Sequence, residues 1–170
     1  MEKQAQLLFE NFSRFDFLYS LKTNPFPPIV RWAAGRGFGA DAASAREVEL
    51  ALESGISSEN IYYSTPGKTR DDLERSLGRC HIIADSLHEL ALLNLIAAER
   101  KMVIGAGLRI NPDFSFSGGP GISGKFGVDL EIIYDHSDFL KSLTNVEIAG
   151  LHIHLRSQVL NSGALAEYYG

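Results

Sequence analysis

The sequence has little cysteine, no long apolar run and no cluster of basic residues. Cys80 is the only cysteine in 170 residues, so an intramolecular disulfide is excluded and the cytoplasm is the expected compartment. No stretch is long and apolar enough to predict a membrane-spanning helix, and the first residues lack the apolar core of a signal peptide. The net charge of −5 argues against nucleic acid as a partner, because phosphate-binding surfaces need clustered Lys and Arg.

The composition and the alternation of segments predict a parallel α/β fold. Hydrophobic residues make up 45% of the chain and charged residues 22%, as in ordinary globular domains. Predicted strands and helices alternate about six times, which implies right-handed crossovers and a parallel sheet. An open doubly wound sheet and a β/α barrel both fit, but a barrel needs eight strands. We therefore expect part of a longer barrel, whose open strand edges would favour association.

One apolar run ends in a lysine. The segment FDFLYSL (15–21) predicts a strand buried on both faces, and the dipeptide NP (24–25) predicts its end. Lys22 would lie at the carboxyl end of this strand, where partial burial would keep part of the amine neutral and able to form a Schiff base. A lysine that extends into water is the alternative.

Two further motifs have competing interpretations. His152 and His154 share one face of a predicted strand and could bind zinc in a metal-dependent hydrolase, but packed or hydrogen-bonded histidines explain the pair equally well. The tripeptide GKT (67–69) resembles a phosphate loop, but Tyr62 stands where that motif needs another glycine. A strand-to-helix turn with a surface lysine is the prediction there.

Arg109 ends a predicted buried strand and needs a partner, because an unpaired buried charge is costly. A ligand carboxylate or phosphate could pair with it, and so could Asp41 or Asp85 within the chain. Upstream in the same strand, the GAG tripeptide (105–107) predicts close approach of a ligand or of another backbone. The glycine-rich segment 118–127 predicts a loop that orders over a ligand, or else a flexible surface loop.

Four of these side chains fall at predicted carboxyl ends of parallel strands: Lys22, Asp41, Arg109 and His154. In a β/α barrel those ends face one site. A lysine nucleophile, an acid, an arginine and a histidine that can stack on a flat ring together suit pyridoxal phosphate chemistry.

The motifs along nearly the whole chain resemble one enzyme family. They are YSLKTNP (19–25), GADAASA (39–45), PGKT (66–69), RINP (109–112), KFG (125–127) and GLHIH (150–154). They resemble the barrel domain of the fold-type III pyridoxal-phosphate decarboxylases, which act on diaminopimelate, ornithine or arginine, and the diaminopimelate type is the most similar. The resemblance implies an incomplete, alanine-racemase-like β/α barrel over residues 1–170.

The resemblance also implies roles for individual residues. Lys22 would carry the cofactor as a Schiff base, and His154 would stack on its ring. Ser157 would contact the phosphate, while Asp41 and Arg109 would line the pocket near the ring. One departure is Arg156, which stands where the family usually has glycine.

Several family features lie beyond Gly170 in relatives: the glycine-rich phosphate loop, the glutamate on the pyridine nitrogen and the C-terminal β-domain. The resemblance therefore implies a fragment or truncated product with little decarboxylase activity alone, from a family of homodimers with small amino-acid substrates. The alternatives are a racemase or non-catalytic binding protein with the same barrel, and the metal-dependent hydrolase that uses His152 and His154.

Overall fold

The computed structural model describes residues 1–112, 114–115, 124–154 and 159–169. The chain divides into two compact units, Met1–Ile82 and Ile83–Gly170. No helix in the described ranges is both long enough and apolar enough to cross a bilayer.

The first unit is a parallel α/β arrangement. Its helices are α1 (Glu2–Asn11), α2 (Pro27–Ala34), α3 (Ala45–Glu53) and α4 (Arg70–Ser76). Its strands are β1 (Leu18–Ser20), β2 (Gly39–Ala42), β3 (Ile61–Tyr63) and the first half of β4 (His81–Ala84). Short 3-10 helices occupy Leu21–Thr23 and Ser58–Asn60. Each strand pairs in parallel with the next, so the predicted alternation is confirmed here.

The core of the first unit forms where α3 covers β2. Ala40 and Ala42 are fully buried, and Val48 and Ala51 of the helix join the same apolar cluster. The three-residue spacing of the buried positions of α3 places them on one helix face. The helix begins after Ser44, whose hydroxyl accepts a hydrogen bond from the backbone N–H of Glu47.

The predicted buried strand at 15–21 is wrong in extent. Only Leu18–Ser20 pair with a neighbouring strand, and the side chain of Phe15 is exposed. The aromatic rings pack against one another instead: the Phe9 ring lies 5.3 Å from that of Phe17 and 5.0 Å from that of Phe38. The first part of the apolar run at 15–21 therefore packs against α1 and is not part of the sheet.

The second unit continues the same pattern of parallel pairing. It begins with the second half of β4. Its helices are α5 (Leu87–Glu99), α6 (Leu130–Asp135), α7 (Ser137–Ser142) and α8 (Ser162–Tyr169). Its other strands are β5 (Ile104–Asn111), β6 (Val128–Asp129) and β7 (Val146–Ile153). The strand β5 pairs in parallel with both β6 and β7, and its register with β7 shifts between Ala106 and Gly107.

The glycines of β5 are explained by packing. A Cβ atom at Gly107 would collide with the side chain of Ile83, and one at Gly105 would lie 3.3 Å from the Cβ of Ala149. Close approach at these positions is confirmed, but the neighbours are side chains of the protein.

Candidate functional site

Lys22 lies in the 3-10 turn that directly follows β1. The expected partial burial is wrong, because its side chain is exposed. Within the described residues, the amine makes neither a hydrogen bond nor an ion pair. It is therefore accessible to a ligand in solution.

The turn that carries Lys22 is held on both sides of the lysine. Thr23 Oγ1 donates a 2.7 Å hydrogen bond to the carbonyl of Ser20, and Tyr19 Oη donates a 3.0 Å bond to the carbonyl of Asn24. Leu21 is fully buried in the core. The main chain around Lys22 is thus fixed, while the Lys22 side chain is exposed to solvent.

Asp41 lies at the carboxyl end of β2 and accepts two hydroxyl hydrogen bonds. Ser20 Oγ donates to Oδ2 at 2.9 Å, and Ser64 Oγ donates to Oδ1 at 2.6 Å. The β1–β2 register places Ser20 directly opposite Asp41. Because each oxygen has its own donor, the plane of the carboxylate is fixed. The sequence interpretation missed both serines, since only the strand pairing shows that they lie beside Asp41.

Arg109 forms an ion pair inside the second unit. Its Nη1 lies 3.3 Å from Oδ1 of Asp85, and only 10% of each side chain is exposed. An internal partner is therefore present, and of the two candidates it is Asp85. The Nη2 atom donates a 3.3 Å hydrogen bond to the carbonyl of His154.

The last residues of the glycine-rich segment pack on Arg109. The ring centroid of Phe126 lies 5.3 Å from the guanidinium carbon. Gly127 has a φ of +78°, and a Cβ atom there would lie 3.1 Å from Cγ of Arg109. A residue other than glycine would be strained and would press on the arginine. Residues 118–123 of the predicted ligand loop lie outside the described residues.

His154 follows the last residue of β7, and the residue is exposed. His152, two residues earlier, lies opposite Arg109 in the β5–β7 register. Within the ranges that the structure covers, no group of three or more His, Cys, Asp or Glu side chains could hold a metal ion. Ser157 and Arg156 lie outside the described residues.

Lys68 differs most from its prediction. It is buried, its Nζ donates a 2.6 Å hydrogen bond to the carbonyl of Thr65, and it lies 5.3 Å from the ring centroid of Tyr63. The predicted surface lysine is therefore wrong. Gly67, with a φ of +70°, lets the chain turn sharply before Lys68.

Comparison with known proteins identifies the family. Residues 1–168 match the family described as "Pyridoxal-dependent decarboxylase, pyridoxal binding domain". The chain belongs to the pyridoxal-dependent decarboxylases. The resemblance inferred from the motifs is confirmed.

Individual members of the pyridoxal-dependent decarboxylases match across most of the chain. An L-glutamyl-[BtrI acyl-carrier protein] decarboxylase from Niallia circulans is 34% identical over 89% of this chain and 37% of its own length. A diaminopimelate decarboxylase from Aquifex aeolicus is 33% identical over 84% of this chain and 36% of its own length. The chain thus spans under two-fifths of these relatives.

A solved structure confirms the fold class. The diaminopimelate decarboxylase from M. jannaschii, in complex with L-lysine, superposes with a TM-score of 0.87 at 27% identity. The match covers 98% of this chain and 43% of that one. The chain therefore has the parallel β/α fold of the barrel part of these decarboxylases.

Pyridoxal phosphate is the cofactor that this family implies. Two side chains of the described structure, Lys22 and Arg109, have groups that fit it. Attachment of its aldehyde needs an accessible primary amine, and the Lys22 amine is exposed with no partner among the described residues. Arg109 Nε is buried and finds no hydrogen-bond partner within the described ranges. One N–H of the guanidinium therefore lacks an acceptor among the described residues. A bound cofactor beside Arg109 would be expected to leave such a donor unpaired when it is absent.

Proposed function

We propose that this chain is the cofactor-binding part of a pyridoxal-phosphate-dependent amino-acid decarboxylase, with Lys22 as the attachment point. The observation that carries the proposal is the Lys22 turn: an exposed amine on a fixed main chain, within residues that match a pyridoxal-binding domain. A fixed main chain limits the positions of the amine and so reduces the entropy lost on attachment.

The other candidate residues have supporting roles in this proposal. His154 contacts the ring of the cofactor, Ser157 contacts its phosphate, and Asp41 and Arg109 border the ring. When bound, pyridoxal phosphate draws electrons from Cα of an amino acid, so that a bond at Cα can break. Asp41 presents a carboxylate whose orientation is set by Ser20 and Ser64. The negative charge of Asp85 balances the positive charge of Arg109. In this proposal Arg109 therefore borders the ring as half of an ion pair.

The proposed substrate is a small amino acid of the diaminopimelate or ornithine kind. The diaminopimelate decarboxylases among the relatives support this choice. A glutamyl group on a carrier protein is the second candidate, supported by the relative that is 34% identical. Because the chain spans under half of these relatives, we expect it to release little or no CO₂ alone.

Cofactor capture tests the attachment point. The purified chain is mixed with pyridoxal phosphate, the absorbance of the adduct is recorded, and borohydride then fixes the adduct for mapping by mass spectrometry. We expect one equivalent of label on Lys22 and its loss in Lys22→Ala, because this amine is accessible on a fixed turn.

Lys3→Ala is the matched control, since Lys3 is also exposed but lies on α1. It should leave the stoichiometry unchanged. Labelling spread over several surface lysines, with Lys22→Ala equal to the parent chain, would overturn the assignment of Lys22.

A further inference from the structure

Asp85 is a buried carboxylate directly after β4. Only 8% of the residue is exposed, and a charge at that depth is costly unless it is paired. Its Oδ1 accepts the 3.3 Å hydrogen bond from Arg109 Nη1. Its backbone N–H donates a 3.0 Å bond to a carboxylate oxygen of Glu89 in the first turn of α5. Both the main chain and the side chain of Asp85 are therefore held.

Arg109 extends this anchoring to the end of β7. The paired ladder between β5 and β7 ends at Ile110 and Ile153, so His154 is the first residue beyond it. Its carbonyl accepts the bond from Arg109 Nη2. The guanidinium thus holds the main chain at the point where the sheet no longer does.

The planar guanidinium makes this connection directional. Nη1 and Nη2 are fixed relative to each other, so fixing Nη1 on Asp85 also sets where Nη2 points. The Phe126 ring lies 5.3 Å from the same guanidinium carbon and limits rotation of the group. A change at Asp85 should therefore reach His154 through Arg109.

We propose that Asp85 is a positioning residue that orients Arg109, which in turn holds the main chain of His154 in place. The functional consequence rests on the proposed function, in which His154 contacts the cofactor. The connection from Asp85 to His154 stands on the contacts alone and can be tested without the cofactor.

The first experiment uses the cofactor-free chain, labelled with ¹⁵N on histidine. The His154 signals are assigned with His154→Gln, and the spectra of Asp85→Asn, Arg109→Gln and the double variant are compared. We expect both single variants to shift or broaden the backbone and ring signals of His154 while the His136 signals stay in place. The double variant should match Arg109→Gln, because Asp85 acts only through the arginine.

Asp135→Asn is the control, since it removes an exposed carboxylate from the same unit. It should leave the His154 signals unchanged. Unchanged His154 signals in a folded Asp85→Asn chain would overturn the proposal, and so would a further shift when Asp85→Asn is added to Arg109→Gln.

Asp85→Asn leaves a buried cation unpaired, which destabilises the fold. The double variant keeps the proposal testable, because it buries no unpaired charge, and Asp85→Glu keeps the ion pair with one additional methylene. We expect Asp85→Glu to give a smaller His154 displacement than Arg109→Gln. An equal or larger displacement would contradict the proposed connection.

The second measurement is the affinity for pyridoxal phosphate. Loss of the charged hydrogen bond should weaken binding about tenfold in Asp85→Asn, with no further loss when the change is made in Arg109→Gln. If the parent chain does not bind pyridoxal phosphate, the proposed function fails and the histidine spectra still decide the role of Asp85. If binding is normal and Asp85→Asn leaves both affinity and spectra unchanged, the role of Asp85 is wrong and the proposed function stands.

Discussion

Cys80 lies just before β4, and its thiol is largely withdrawn from water. Burial raises the pKa of this thiol to about 12, although the positive charges of Lys68 and Arg79 act in the opposite direction. The Sγ atom lies 3.6 Å from the carbonyl of Ser76. The thiol is therefore a packed group, and at neutral pH the reactive thiolate is scarce.

We predict slow thiol chemistry in the folded chain. At pH 8 the folded chain should hold far less thiolate than the denatured chain, and its reaction with a disulfide reagent should be more than about tenfold slower. The rate is measured by release of the coloured thiol, with the chain in guanidinium chloride as the control. A folded-state rate within about tenfold of the denatured rate would contradict the burial of the thiol.

The same thiol makes stability depend on pH. Between its ordinary pKa of 9.0 and about 12, the unfolded chain loses the thiol proton while the folded chain keeps it. The unfolded state then binds fewer protons, so the free energy of unfolding falls as pH rises through this range. Cys80→Ala should remove that part of the slope in urea titrations.

At the scale of elements, local signals identified the helices better than the strands. The N-cap at Ser44 was predictable because the capping serine and Glu47 are three residues apart. The length of β1 was not predictable, because the aromatic residues at 15–21 pack against rings from α1 and from the residue before β2. Of those partners, Phe38 lies 21 positions beyond Phe17 along the chain.

The start of α4 provides a test at this scale. The Thr69 hydroxyl accepts from the backbone N–H of Asp72, and the Asp72 carboxylate accepts from the backbone N–H of Thr69. Hydrogen bonds from the Thr69 side chain and backbone lower the pKa of Asp72. We predict that Thr69→Ala lowers the free energy of unfolding by about 1 kcal/mol at pH 7.

That loss should shrink in acid. A carboxylate with a lowered pKa contributes stability above its ordinary value of 3.8, and the contribution disappears as pH falls through the folded-state value. Urea unfolding of the parent chain and of Thr69→Ala, at pH 7 and below pH 3.8, measures the loss at each pH. Thr69→Ser keeps the hydroxyl and should remain near the parent chain at both pH values. A loss in Thr69→Ala that does not change with pH would contradict the role of Asp72.

At the scale of the whole molecule, β1 is a possible contact surface. In the described structure β1 pairs with β2 only, and Leu18 at its start is 39% exposed. A parallel strand with one unpaired edge can pair with another chain. Association of this chain, which the sequence predicts, would use such an edge.

We predict that the chain forms dimers or larger species, and that their share rises with protein concentration. Sedimentation velocity measures this, and Leu18→Lys should shift the distribution toward monomer because a charge at an edge opposes pairing. Ile132→Lys changes a similarly exposed apolar residue on α6 and should have no effect. A monomer at every concentration tested would rule out association through β1.

The sequence by itself determined the parallel α/β pattern and the family, and it carries the signal for the N-cap of α3 at Ser44. These features rest on signals within a few residues, such as caps and periodicity, or on motifs in a fixed order. Only the tertiary structure decided that Lys68 is buried, that Lys22 is exposed, and that Arg109 pairs with Asp85. The physical reason is separation along the chain: Arg109 contacts residues 24 and 45 positions away, and burial depends on what the fold places around a side chain.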